Sequence, residues 1–456
     1  MLLLAKLRAD EVEIAPPPPS YHVLRFEEDY SSLTNSLSRT DWFDPIKYIP
    51  LRTEHPSWYL TLGGELRERF EGNHDAGFGI GGVGSDSYLL QRITLLTDFH
   101  FGERVRLFAE GISGLIEGES LPPPPVQDDP LDLAYAFIDV VPWLRYDQSL
   151  TLRAGRFGMN LGSGRLVATR AALSAPNIPF RFQGLEALSS TPFWAATAFL
   201  TQPVEDAGGI SGADDATTFW GLYVTHWFDA PHHHGLDFYY LGIQNEPATY
   251  ASGTADELRH SFGLRYFGQR GQWDWNQEDV IQVGSFGSGS ILAWTASLEG
   301  GYTWDTTGQP RLGLKVNVIS GDLDPSDAEQ GTFDALYPNP SYFNDASLLR
   351  PANFIDVHPN IRVNLARNLS VNGGADCFWR YSRDDAVYFI SGSILVPALS
   401  NEPAYVATAM DVNLEWQIQR HVTFLASYVH FFTGAYIHAA GGRDMNFVSA
   451  TIGFVF

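Results

Sequence analysis

The stretch AMDVNLEWQI, Ala409–Ile418, sets Met410, Val412, Leu414 and Trp416 against Asp411, Asn413, Glu415 and Gln417. A period of two places these sets on opposite faces of a β-strand. RLGLKVNVIS (311–320) reads the same way, with Leu312, Leu314, Val316 and Val318 opposed to Arg311, Lys315 and Asn317. In YLTLGGELRERF (59–70), Leu60, Leu62 and Leu66 alternate with Thr61, Glu65 and Arg67. From Trp58 onward such segments of about 10–15 residues follow one another, the strand signature of a transmembrane β-barrel, which a soluble sandwich shares.

The connections separate the two folds. About 18 strands are expected, and short connections alternate with long ones. The short ones are FGER (101–104), LRYDQS (144–149), SSTP (189–192), DAPHHHG (229–235), GQRG (268–271), WDTTGQP (304–310), ARNL (366–369) and QIQR (417–420). The longer ones are 72–85, 117–130, 157–180, 202–215, 245–255, 284–290, 320–352, 382–404 and 433–442. Short periplasmic turns and long extracellular loops are the habit of outer-membrane barrels, whereas a sandwich has no reason to sort loops by parity. The final segment, NFVSATIGFVF (446–456), puts Val448, Ala450, Ile452, Phe454 and Phe456 on one face, as a closing barrel strand would. Trp58, Tyr59, Trp143, Trp294, Tyr302, Trp379 and Tyr381 are expected in interfacial girdles.

Composition agrees. Aromatics make up 14% of the 456 residues and there are 43 glycines, which suits strands and turns. A net charge of -24 argues against nucleic-acid binding. Only Lys6, Lys47 and Lys315 are lysines, so the cationic side chains are mostly forked guanidiniums suited to carboxylates. The lone Cys377 excludes an internal disulfide and reads as a small apolar strand residue. No run of about 18 apolar residues is present to form a membrane helix. The start, MLLLAKLRADEVEIAPPPPSY, has too short an apolar part for a secretory signal. Residues 1–56, with the stiff APPPPS spacer (15–20), are expected to form a periplasmic pre-barrel segment packing at or into the pore mouth. Residues 57–456 are expected to form the barrel, with loop 320–352 as a lid.

Parity assigns the faces. Arg67, Arg69, Arg92, Arg104, Arg106, Arg153, Arg259, Arg265, Arg311, Arg362 and Arg380 fall on the face away from lipid. Glu65, Asp98, Glu110, Asp139, Glu299, Asp376, Asp411 and Glu415 share it. A guanidinium on the lipid face near the midplane costs about 2–4 kcal/mol, which makes the lumen its place. Two roles stand open for each: bracing the wall through Arg–carboxylate pairs, or raising the local concentration of anions in a pore. Asp322, Asp324 and Asp327 offer oxygen ligands of the kind Ca²⁺ takes, without the spacing of an EF-hand. His232–His234 read as surface, and GSFGSGS (284–290) lacks the lysine of a phosphate loop. No hydrolase or zinc-protease motif occurs, no cofactor is implied, and the adjacent Asp384 and Asp385 do not make a glycosidase; no enzyme is expected.

Three stretches together resemble the alginate export family. They are FDPIKYIPL (43–51) followed by LTLGGELRERFE (60–71), then LRAGRFGMNLGSGRLVATR (152–170), then ISGDLDPSDAEQGTFDALYPNPSYF (319–343) running on to FWRYSRDDAVY (378–388). The resemblance implies an 18-stranded barrel in the outer membrane of a Gram-negative bacterium. It also implies an arginine-rich lumen passing an anionic, alginate-like polysaccharide outward by passive export. Arg153 and Arg156 match the family's RxGR block, and Arg165 and Arg170 fall in the loop after it, at the extracellular side. The implied partners are an acidic polysaccharide or oligosaccharide, outer-membrane lipid and periplasmic export machinery. A general anion-selective porin for small solutes and a soluble all-β carbohydrate-binding protein are the alternatives.

Overall fold

The computed structural model describes residues 20–82, 84–120, 125–229 and 232–456. The apolar start and the proline spacer up to Pro19 lie outside the described residues, as do parts of the connections 117–130 and 229–235. Eighteen antiparallel strands form one closed barrel. They are β1 (Trp58–His74), β2 (Asp86–Phe101), β3 (Val105–Glu117), β4 (Asp129–Arg145), β5 (Gln148–Phe157) and β6 (Phe182–Ser190). There follow β7 (Trp194–Pro203), β8 (Thr217–Trp227), β9 (His234–Tyr250), β10 (Gly253–Arg270), β11 (Trp273–Phe286) and β12 (Gly289–Thr303). The circuit ends with β13 (Arg311–Ile319), β14 (Phe354–Ala366), β15 (Leu369–Arg380), β16 (Tyr405–Gln419), β17 (Val422–Thr433) and β18 (Met445–Val455). β18 closes onto β1 from Glu65↔Val455 to His74↔Asn446.

Alternation sets the two faces. Leu66, Leu95, Leu264, Leu314, Met410, Val412 and Ile452 are exposed outward, while Arg67, Asp98, Lys315, Asp411 and Thr451 from the opposite parity are buried. No helix among the described residues is long and apolar enough to cross a membrane; strands make the crossing. Tyr59 departs from the expected girdle. It faces inward, stacked on Tyr48 at 4.9 Å and on His100 at 4.3 Å, because it shares the parity of Thr61 and Glu65.

The expected short connections all lie on one end of the barrel, and long loops lie on the other. Two expected long loops are instead tight turns. β9 and β10 run on as a paired ribbon to a turn at 251–252, and 284–290 narrows to Gly287–Ser288, with Gly287 at φ +57. Their Gly, Ser and Thr content reads as loop, yet both segments keep strand partners on each side.

The remaining loops fold inward, so the apolar core of this protein sits inside the barrel. Leu166, Val167, Ile178, Phe333, Leu336, Phe343, Leu349, Val396 and Ile437 pack against inward wall residues such as Phe182, Phe219, Phe354 and Phe378. Loop 158–181 and loop 320–353 are bridged by backbone bonds from Ala168 to Tyr337 (2.9 Å) and from Tyr337 to Leu166 (2.8 Å).

Candidate functional site

Across β2–β6 the inward side chains form a continuous ladder. Arg106 donates two bonds to Asp98, at 2.8 and 2.7 Å, and lies 3.9 Å from Asp139. Asp139 accepts two bonds from Arg153, at 2.8 and 3.0 Å, and Arg153 reaches Glu186 at 3.3 Å. Register places Arg106 opposite Asp139, Asp139 opposite Arg153, and Arg153 opposite Glu186. Three carboxylates therefore enclose two guanidiniums, and every nitrogen of the Arg153 guanidinium meets a carboxylate. Phe137 supports it, with the guanidinium 4.0 Å from the ring centroid. Other expected arginines are paired likewise: Arg92 with Glu65 (2.7 Å), Arg69 with Glu71 (2.6 Å), Arg259 with Glu257 (2.6 Å), Arg265 with Asp237 (2.9 Å) and Arg311 with Asp274 (2.6 Å).

A second set has no carboxylate within 4.0 Å among the described residues: Arg67, Arg165, Arg170, Arg362 and Arg380. Loop oxygens meet most of these donors. Arg67, fully buried, donates to the carbonyls of Ala175 (2.6 Å) and Leu173 (3.2 Å) and to the Asn177 side chain. Neighbouring Arg92 adds bonds to the carbonyls of Ala171 (3.0 Å), Ala172 (3.3 Å) and Pro176 (3.3 Å). Arg380 is wrapped by the carbonyls of Arg383, Leu399, Glu402 and Pro403. Arg156 reaches the carbonyls of Leu133 and Ser211 and lies 3.7 Å from Asp132.

Arg165 and Arg170 do not stand at the outer rim as expected, because their loop folds inward. Arg165 is buried against β11 and β12, donating to the Glu278 carbonyl (3.2 Å) and the Thr295 hydroxyl. Arg170 donates to the Pro338 carbonyl (3.2 Å) and covers the Phe180 ring; burial and Arg350 lower its pKa to about 10. Arg104 precedes β3 in an exposed turn, where it donates to the carbonyls of Val141 and Pro142. Arg362 is exposed inside the turn-side half, opposite Arg311 in register, with one long bond to Ser370 (3.4 Å).

The wall is not uniformly basic. On β14–β16, His358 lies 3.6 Å from both Asp376 and Asp411, with Asp356 on the same arc. Lys315 on β13 donates to the Tyr342 carbonyl of loop 320–353 (2.8 Å), and Tyr342 donates to Asn317 (2.7 Å), which donates to Asp356 (2.8 Å). Glu110 is buried, Glu299 is half-buried and Glu415 is exposed, the last two in the turn-side half.

Asp322, Asp324 and Asp327 do not converge. Asp322 accepts the Asp324 N–H, Asp324 accepts Ser326, and Asp327 accepts the Glu329 N–H. Each carboxylate thus caps its own turn, and no group able to hold a metal ion forms among the described residues. Burial, with Asp385 alongside, pushes Asp322 up to about 6. His232 and His234 bond the Pro192 carbonyl and Asp229 at the surface.

Several partners were beyond the alternation rule. Arg181, wholly buried, joins Asp132 (2.5 Å) and Asp206, and Arg350 joins Asp334 (2.5 Å). These groups stand in loops or at strand ends, where period-two parity carries no information.

The Alginate export family model matches residues 58–451. Comparison with curated proteins returns no match. Among solved structures, Acinetobacter baumannii OccAB1 is similar over 91% of this chain and 99% of its own, at 11% identity and TM-score 0.59. Pseudomonas aeruginosa OccK8 (OprE) is similar over 87% and 98%, at 13% identity and TM-score 0.56. P. aeruginosa OccK2 (OpdF), in complex with glucuronate, is similar over 87% and 98%, at 11% identity and TM-score 0.55. With the family match over most of its length and a closed barrel of this kind, the chain is an outer-membrane channel belonging to the Alginate export family.

Proposed function

We propose that this barrel is a gated channel passing an anionic polysaccharide or oligosaccharide outward through its lumen, without chemistry at the site. One observation carries the reading: the forks of Arg67 and Arg92 are filled by carbonyl oxygens of loop residues 171–176. Those oxygens stand where the oxygens of a uronate carboxylate would bind, and the guanidinium geometry suits a carboxylate better than a neutral carbonyl. With the loop withdrawn, Arg67 faces the lumen without a carboxylate partner and attracts anions. Each contact must stay weak, since conduction requires release as well as capture. The glucuronate complex of the similar OccK2 supports a uronate as the unit recognised.

A general anion porin is the second reading. The loop-side cavity lined by Asn245, Tyr250, Asp334, Arg350, Ser391 and Ser393 has about 560 Å³, a small-solute size. The test is reversal potential in a salt gradient across planar bilayers, with oligouronate added. The export reading expects anion preference, current block that deepens with oligomer length, and loss of both in Arg67→Ala with Arg92→Ala. Block independent of length favours the porin; cation preference in the wild type sinks both.

A further inference from the structure

The barrel's first and last strands do not end level. β1 pairs with β18 from Glu65, Gly64 exchanges backbone bonds with Phe456 (3.0 Å each), and the lower part of β1, Trp58–Gly63, projects beyond that end. A strand edge left open in this way exposes unpaired backbone and is a point where a barrel can unzip. The pre-barrel segment covers that edge: Ile49 pairs with Leu60 and Pro50 with Tyr59, the Leu51 N–H donates to the Trp58 carbonyl (2.9 Å), and the Thr61 hydroxyl donates to the Lys47 carbonyl (2.6 Å).

The same segment reaches across the seam. Arg25 donates to the Gly64 carbonyl on β1 (3.1 Å) and to the Phe456 carbonyl after β18 (3.0 Å), so one guanidinium holds both strands. Glu28 fixes its orientation through the Arg25 Nε–H (2.5 Å) and itself accepts the Tyr30 hydroxyl (2.7 Å). Asp41 binds His421 (2.7 Å) and Arg420 (3.3 Å) in the turn between β16 and β17. Phe43 packs on Phe454 and Phe456, at 5.9 and 5.3 Å between centroids. Phe26 anchors the other end among Phe108, Tyr135 and Phe137 on β3 and β4.

We infer that residues 21–51 are a clamp that locks the closing seam of the barrel, tying β1 to β18 from the periplasmic side. The anchors lie on both sides of one junction, and the covered edge is the part of β1 that β18 cannot reach. Residues 21–51 precede the span that the family model matches, 58–451.

Hydrogen–deuterium exchange on the full chain refolded in detergent tests the clamp, comparing wild type with Arg25→Gln, Asp41→Asn and Phe43→Ala. The expected result is at least tenfold faster exchange at amides of 58–64 and 446–456, with amides of β10–β12 on the far wall unchanged. Equal exchange at the seam in wild type and variants overturns the inference. So does acceleration spread uniformly round the barrel, which is general destabilisation. Should Arg25→Gln fail to reach the heat-modifiable folded form, Phe43→Ala, which leaves no buried charge unpaired, carries the same comparison.

Discussion

Arg67 Nη1 donates to the carbonyl of Ala175 at 2.6 Å, joining a fully buried guanidinium on the barrel wall to a loop that returns inward from the extracellular side. Its Nη2 meets Asn177, whose own amide donates to the carbonyls of Leu115 (2.9 Å) and Gln127 (2.7 Å). The loop tip is thus tied to β1, β3 and a neighbouring loop by one cation and one amide. Replacing 171–177 by a shorter Gly–Ser link is expected to raise single-channel conductance severalfold and strengthen anion preference. Asn177→Ala should do the same to a smaller extent. Planar-bilayer recording of both decides it, and unchanged conductance in the shortened loop would show that 171–177 does not obstruct the path.

Arg153 invites the opposite expectation. Removing it strands Asp139 and Glu186 in a buried ladder, a loss of about 3–5 kcal/mol for a broken buried pair. Arg153→Ala should therefore lower the denaturant midpoint of the folded barrel strongly, while Arg67→Ala changes selectivity more than stability. The double variant Arg153→Ala with Asp139→Ala should recover part of the loss, since it removes one of the stranded charges. A midpoint for Arg153→Ala equal to wild type would remove the bracing role.

Arg104 separates parity from position. It has the face that alternation assigns to the lumen, but it stands in an exposed turn. Arg104→Ala is expected to leave reversal potential unchanged and stability within about 0.5 kcal/mol. A shift of reversal potential comparable to that of Arg67→Ala would place its charge on the ion path after all.

These contrasts mark how far the sequence was legible. Period-two alternation is a local property, so Met410, Val412 and Asp411 could be given their faces from neighbours alone. The eight short connections at one end of the barrel are equally local. What alternation could not show is where a long loop goes once it leaves the wall. Arg153 and Arg67 look alike in the strand pattern, yet one meets cross-strand acids and the other meets carbonyls over 100 residues away in sequence. Arg165 is expected at the rim for the same reason: inward folding is decided by Leu166, Val167 and Ile178 finding apolar partners inside the barrel. The acidic arc at Asp356, Asp376 and Asp411 likewise needs register between three strands before it becomes a patch.

Lys47 gives the clamp a pH dependence of definite sign. Its ammonium is buried among the rings of Tyr21, Tyr30 and Phe456, without a hydrogen-bond partner among the described residues. Burial, with Arg25 nearby, lowers its pKa from the usual lysine value to about 7. Once the clamp is released, the side chain returns to water and holds its proton up to about pH 10. Between these values the released segment binds a proton that the docked segment does not, so docking strengthens as pH rises above 7. Below 7 both forms are protonated and this contribution is flat. Seam protection at 58–64, corrected for intrinsic exchange, should therefore grow between pH 7 and 9 by up to about tenfold per unit. In Lys47→Met it should be independent of pH over that window, and at least as high as in wild type at pH 7. A Lys47→Met protein that keeps the wild-type slope would show that another group sets the pH response of the clamp.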